Sequence, residues 1–390
     1  MALLGMVSAL AGFVKVRYLI DKAIIDNMVF RCHYRITSAI LFLCCIIVTA
    51  NNLIGDPIQC INDSVPGHVI NTFCWITYTF TMPGLYNKPI GTHVPHPGLG
   101  NDLEEKQFHS YYQWVPFVLF FQGLLFYAPH WIWKNWEEGK IRLISDGIRG
   151  TMIGGEQERA FRAERLIQYI MDTLHLHNTY AFGYFFCEAL NFINVVLNII
   201  FVDKFLGGTF MSYGVDVLRF SNLNQENRTD PMVQVFPRIT KCTFHKFGAS
   251  GTIQKHDAMC VLALNILNEK IYIFLWFWFI ILAVLSGLAL IYSAAVILMP
   301  STREAVLKRK YRFSTPDALT TLIRKTQVGD FLLLHLLGQN MSVLTYNQIM
   351  DELSKRLSTR TNLPSAPSTL EMSPIYSPEK REKFGIETET

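Results

Sequence analysis

Charge is what this chain has least of. Only 17% of its 390 residues are Asp, Glu, Lys or Arg, against roughly a quarter in an ordinary soluble domain. The shortage is concentrated: residues 36–54, 112–133 and 271–299 contain no charged side chain, and 180–202 contains one, Glu188. Each run meets the roughly 20 residues a helix needs to cross a bilayer. These runs exclude a soluble domain and predict an all-α polytopic membrane protein with four transmembrane helices. Catalytic patterns are missing too. There is no HExxH, no GxSxG and no P-loop, and His33, His130, His175 and His177 have no Cys or carboxylate at metal-ligand spacing. A single Glu188 offers no carboxylate pair, and neither several buried charges nor broken helices in repeated halves point to a coupled transporter. The expectation is no enzyme, no cofactor, no metal and no nucleic-acid partner. A pore, a receptor or an adhesion protein remains.

Basic residues set the orientation. The first loop, 55–111, has only Lys88 and Lys106, whereas Lys15, Arg17, Lys22, Arg31 and Arg35 precede the first span and Arg303, Lys308, Arg309, Lys310 and Arg312 follow the last. Both termini are therefore expected in the cytoplasm. The second outer loop, 203–270, carries more basic residues, but loops longer than about 60 residues cross largely regardless of charge. The apolar start, with Ala9-Leu10-Ala11, imitates a signal peptide; it lacks a basic n-region and is read as retained. Sequons at Asn62 and Asn227 fall in the outer loops and are possible glycosylation sites; a third at Asn340 falls inside and is expected to be silent.

Along the chain, 1–35 is an N-terminal helix and lead-in. Leu3, Val7, Leu10 and Val14 share one face and Gly5, Ser8 and Gly12 the other. Periodicity alone favours an interfacial amphipathic helix over a segment lining a narrow space. Pro129 is expected to kink or end the second span. In the third span Glu188, Asn191, Asn194 and Asn198 form a polar stripe that cannot face lipid cheaply. Interhelical bonding is the expected use and a water-filled path the alternative. In the second outer loop, 240–246 and 252–255 flank a Gly-Ala-Ser-Gly turn and predict a hairpin. The cytoplasmic loop, 134–179, is helical in part, 300–360 is a cytoplasmic helical region whose basic start suits anionic lipid, and 361–390 reads as a disordered tail.

Four of the eight cysteines, Cys32, Cys44, Cys45 and Cys187, lie in or beside helices, as small buried hydrophobes. The other four fall two and two in the outer loops: Cys60 and Cys74 in the first, Cys242 and Cys260 in the second. Even pairs on the oxidising side are what crosslinked loops require. The sequence leaves three connectivities open.

Tyr111-Tyr112-Gln113-Trp114-Val115, at the outer start of the second span, resembles the signature of the innexins, the invertebrate gap-junction proteins. The likeness extends to 52–60 (NLIGDPIQC), Cys74-Trp75-Ile76, 117–129, 186–195 (FCEALNFINV), 241–248 (KCTFHKFG) and 268–281 (NEKIYIFLWFWFII), and is greatest to insect members. The resemblance implies an octameric ring around a wide pore, in which subunits of other innexins could join. It implies a second ring docked through the outer loops on the neighbouring cell, and passive flow of ions and small solutes at gap junctions of the plasma membrane. It implies the pairs Cys60–Cys260 and Cys74–Cys242, and a helical cytoplasmic dome. It also reverses the reading of the N-terminus: Met1, Ala2, Gly5, Ser8 and Gly12 would line a pore funnel. The nearest alternative is an undocked hemichannel opening to the exterior. A claudin-like adhesion protein would keep its cysteine pair in the first loop only.

Overall fold

The computed structural model describes residues 23–100, 105–146, 148, 156–221, 230–310 and 316–362. Four of its helices are long and apolar enough to cross a membrane: α1, Met28–Ile54; α3, Val115–Glu137; α6, Asn178–Phe205; and α9, Leu264–Leu298. Each overruns its apolar run. Hydropathy marks only the part inside hydrocarbon, while the backbone bonds continue into water and into the outer loops. Helix α1 starts at an N-cap, Asn27, whose side chain accepts from Phe30 N at 2.7 Å. Its second turn widens into a π-helix over Cys32–Thr37. Helix α3 carries Pro116 in its first turn, where no N–H is missed. It does not end at Pro129 but runs on to Glu137, where Glu138 and Gly139 take left-handed conformations.

The bundle packs α1 on α3, α3 on α6, α6 on α9 and α9 back on α1. Its centre holds Leu41, Val48, Leu119, Phe126, Val195, Phe279 and Leu282. A Cβ at Gly123 would lie 2.9 Å from the Phe42 ring, so α1 and α3 approach through a missing side chain. Phe117, Phe121, Phe201, Leu288 and Ile291 point outward and are exposed, which suits a lipid-facing surface.

Outside the bundle, both outer loops build one antiparallel sheet in the order β1-β5-β4-β2-β3. Strands β1 (Gln59–Ile61), β2 (Thr79–Thr81) and β3 (Gln107–His109) come from the first loop, and β4 (Ile239–Phe247) and β5 (Ile253–Val261) from the second. The expected hairpin is present, with Gly251 at φ +79° in its turn. Its second strand runs six residues past the expected end, because Ala258 and Cys260 face the buried side while Asp257, Met259 and Val261 face the other. A short helix, α2 (Gly67–Ile76), packs on β1 and β4, and the second outer loop adds α7 (Phe210–Ser221) and α8 (Pro231–Val235) before the hairpin.

On the other side, α4 (Lys140–Ile144), α5 (Glu156–Asp172), α10 (Pro300–Lys310), α11 (Pro316–Lys325), α12 (Val328–Asn340) and α13 (Val343–Asn362) form a helical dome. Helix α12 is its centre: Phe331, Leu332, Leu333, Leu334, Leu336 and Leu337 are all buried, the pattern of a helix enclosed on every side. It starts against the turn before α6. A Cβ at Gly329 would stand 2.2 Å from the His177 carbonyl carbon, so no other residue fits there without moving the turn.

Between hairpin and bundle, Arg238 forks onto Glu269 at the outer end of α9, with Nη2 2.8 Å from Oε1 and Nε 3.2 Å from Oε2. Glu269 is fully buried, and its carbonyl accepts from the Tyr213 hydroxyl at 3.2 Å. Lys270 Nζ also lies 3.0 Å from Oε1, so Arg238→Ala removes the forked partner and leaves one cation on the carboxylate, a change that costs about 2 kcal/mol. Thermal melts of the detergent-solubilised chain are expected to show the loss; an unchanged melting temperature would contradict it.

Candidate docking cap and pore entrance

The outer cap is closed by two disulfides. Cys60 faces Cys260 across the β1–β5 pair and is bridged to it, with an S–S distance of 2.04 Å and Cα atoms 4.0 Å apart. Cys74, near the end of α2, is bridged to Cys242 on β4, with Cα atoms 6.0 Å apart. The bridges link positions 200 and 168 residues apart and sit among Ile58, Ile70, Tyr112, Ala258 and Leu262. Bridges of this kind typically contribute 2–4 kcal/mol. Among the described residues the one cluster at metal-ligand distances is Cys60, Cys74 and Cys260, and its sulfurs are all in disulfides.

The Tyr-Tyr-Gln-Trp-Val segment acts on the same cap. The last carbonyls of a helix have no partner within it. At the end of α2 those of Cys74, Trp75 and Ile76 accept from side chains of this segment: the Tyr112 hydroxyl reaches Cys74 O at 3.1 Å, and Gln113 Nε2 reaches Trp75 O and, at 3.2 Å, Ile76 O. The Tyr111 hydroxyl reaches Val235 O of the second loop at 3.4 Å. Trp114 is exposed, as suits a membrane-interface ring, and Val115 is buried. Three consecutive residues thus fix the start of α3 to both outer loops.

Asn62 is engaged as well. Its Nδ2, the atom a glycan would occupy, donates to Asp257 O on β5 at 2.7 Å, while its Oδ1 accepts from Ser64 N at 2.8 Å. A sugar there would take one of the two Nδ2 hydrogens and crowd the edge of β5. Asn227 lies outside the described residues, as do Met1, Ala2, Gly5, Ser8 and Gly12.

At the inner end the chain entering α1 is gripped residue by residue. Ile24 N donates to Asn340 Oδ1 at 2.6 Å, and Asn340 Nδ2 donates back to Ile24 O at 2.8 Å. Trp133 Nε1 donates to Ile25 O at 3.0 Å. Asp26 lies 3.2 Å from Arg31 Nε. Asn27 donates to Glu188 Oε1, whose other oxygen accepts from Ser293 of α9. Glu188 therefore joins α6, α9 and the cap of α1 inside the bundle. Asn198 bonds Asn194 on its own helix. Asn191 is buried with no side-chain partner among the described residues. Below them, Asp330 accepts from His177 Nδ1 at 2.9 Å and from His175 N at 3.1 Å. Burial alone would raise its pKa, but these bonds outweigh it and hold the carboxyl below its usual range.

Several of these contacts carry no local sequence signal. Arg238–Glu269, Asn340–Ile24 and Asp330–His177 join residues 31, 316 and 153 apart. Only the Gln327–Asp330 capping box at the start of α12 has a pattern that sequence reading could have found.

Compared with known proteins, residues 26–357 match the family model described as Innexin. The chain is 63% identical to Innexin inx3 of Drosophila melanogaster over the full length of both. It is 47% identical to Innexin inx2 of Schistocerca americana, covering 89% of this chain and 97% of that one. It is 43% identical to Innexin shaking-B of Drosophila melanogaster, covering 85% and 90%.

One buried titratable group gives the cap a pH dependence. His109 on β3 is 5% exposed, with Nε2 2.7 Å from Thr81 Oγ1. Burial lowers its pKa from 6.5 to about 4. A depressed folded-state value stabilises the cap above the unfolded pKa, and the contribution is lost as pH falls from about 6.5 toward 4, in total roughly 3 kcal/mol. Stability measured across that range should fall in the unaltered chain and fall less in His109→Asn; equal losses in both would rule the histidine out as the cause.

Proposed function

The chain belongs to the innexin family of gap-junction channel subunits, and from that premise we propose that its cap is a docking plate through which two rings join neighbouring cells. Membership makes it a multi-pass plasma-membrane protein and a subunit of an oligomeric channel. The finer reading is an octameric ring, able to include other innexins, with both termini in the cytoplasm and residues 1–12 lining the pore entrance. Ions and small solutes pass down their gradients without chemistry.

The observation that carries the docking reading is the joining of both outer loops into one sheet by Cys60–Cys260 and Cys74–Cys242. A surface already ordered loses less conformational entropy on association. The engagement of Asn62 with β5 argues in the same direction, since a glycan at the rim would obstruct a facing ring.

Current recorded between paired cells that both express this chain, with single-cell membrane current alongside, tests the proposal. Junctional current is expected, and Cys60→Ser or Cys242→Ser is expected to abolish it while the protein still reaches the surface. Membrane current without junctional current would replace docking with the hemichannel reading. Full coupling by either cysteine variant would remove the disulfides from the argument.

A further inference from the structure

At the inner ends of α1 and α3 lies a cavity of about 390 Å³, within the size range of small-ligand sites. Its depth in the membrane follows from the sequence. Residues 36–54 are uncharged and as a helix span about 28 Å, close to the thickness of bilayer hydrocarbon. Arg35 is the first charge beyond that slab on α1, and Lys134 the first beyond it on α3. Both line the cavity, with Arg31 and Arg142. The cavity therefore opens at the level of lipid head groups, on the side with the greater density of basic residues near the spans.

The cavity's charges are not balanced. Of its carboxylates, Asp26 is buried beside Arg31, and Glu137 is buried and accepts from Gly139 N at 2.8 Å and Ile141 N at 2.6 Å. Glu138 is the one exposed acid among the lining residues, against three exposed cations: Arg35, Lys134 and Arg142. None of those three has a carboxylate within ion-pair distance among the described residues. One wall is aromatic. Tyr34 stacks on His130 at 3.6 Å, and the Arg35 guanidinium lies 5.5 Å from the Tyr34 ring centre, with Nε 3.1 Å from its hydroxyl. A rigid flat wall, three cations with free donors and an opening at head-group depth suit a phosphate-bearing ligand with an apolar tail. Basic pockets between helices at the cytoplasmic face hold such head groups.

We propose that this cavity binds the phosphate-bearing head group of an anionic inner-leaflet phospholipid, held by Arg35, Lys134 and Arg142. Residues 23–26 form part of its lining, so an occupied site would bear directly on the lead-in to α1. The inference rests on the membrane orientation and not on docking, and its test needs no neighbouring cell.

The full-length protein in detergent is titrated with phosphatidylinositol bisphosphate, phosphatidylserine, phosphatidylcholine and free inositol trisphosphate, and bound molecules are counted by native mass spectrometry. Saturable binding of the anionic lipids above phosphatidylcholine and above the free head group is expected. Arg35→Gln, Lys134→Gln and Arg142→Gln should each weaken it about fivefold, with losses that accumulate when combined. Arg165→Gln and Lys355→Gln, exposed on α5 and α13 and outside the cavity lining, should leave it unchanged. Three results would overturn the proposal: undiminished binding by the combined variant, equal loss on neutralising Arg165 and Lys355, or free inositol trisphosphate binding as tightly as the lipid. If the combined variant fails to assemble, Lys134→Gln and Arg142→Gln decide singly, since both side chains are exposed.

Discussion

Two covalent links between the outer loops govern the rest of this molecule. Without them, strands of three residues from the first loop would have to hold their places beside a hairpin nearly 200 residues away, against the entropy of closing so long a loop. With Cys60 bridged to Cys260 and Cys74 to Cys242, β1 and α2 are fixed to the hairpin. The ends of α1, α3 and α9 that lead into them are fixed in turn. The capping of α2 by Tyr112 and Gln113 and the pairing of Arg238 with Glu269 then operate on elements already close together.

The two faces of the membrane are built differently. Outside, the ties are disulfides and side-chain bonds to helix-end carbonyls, arranged around a buried apolar centre. Inside, the ties among the described residues are reversible: Asn340 to Ile24, Asn27 to Glu188 and Asp330 to His177. Hydrogen bonds and ion pairs of this sort each contribute about 1–3 kcal/mol. They allow alternative arrangements that disulfides do not. A fixed outer cap and a releasable inner end are what a channel needs if it is to dock permanently and still change state from the cytoplasm.

Much of this plan was legible in the sequence, and the gaps have physical causes. The four spans were visible because hydrocarbon tolerates almost no charge, but their ends were not. Residues such as Asn265, Asn268 and Glu269 are polar and yet lie buried within α9. The hairpin was visible from its turn; β2 and β3 were not, because three residues are too few for alternation to show. Cysteine parity identified crosslinked loops, while the choice among three pairings came only from family resemblance. Pro129 was expected to kink or end α3, and of these two the helix does not end there but continues eight residues beyond it. Glu188 announced itself as a charge in a span, but its partners, Asn27 and Ser293, lie 161 and 105 residues away. The role of the Tyr-Tyr-Gln segment as a cap for α2 needed coordinates.

The central claim is that the bridged cap is the surface that docks. The most direct test applies a membrane-impermeant reductant to separated cells expressing the chain, labels the freed thiols, and then brings the cells into contact while junctional current is recorded. The account expects no coupling while Cys60, Cys74, Cys242 and Cys260 stay reduced, and normal coupling in untreated pairs. Full coupling between cells whose four outer cysteines are all labelled would contradict it.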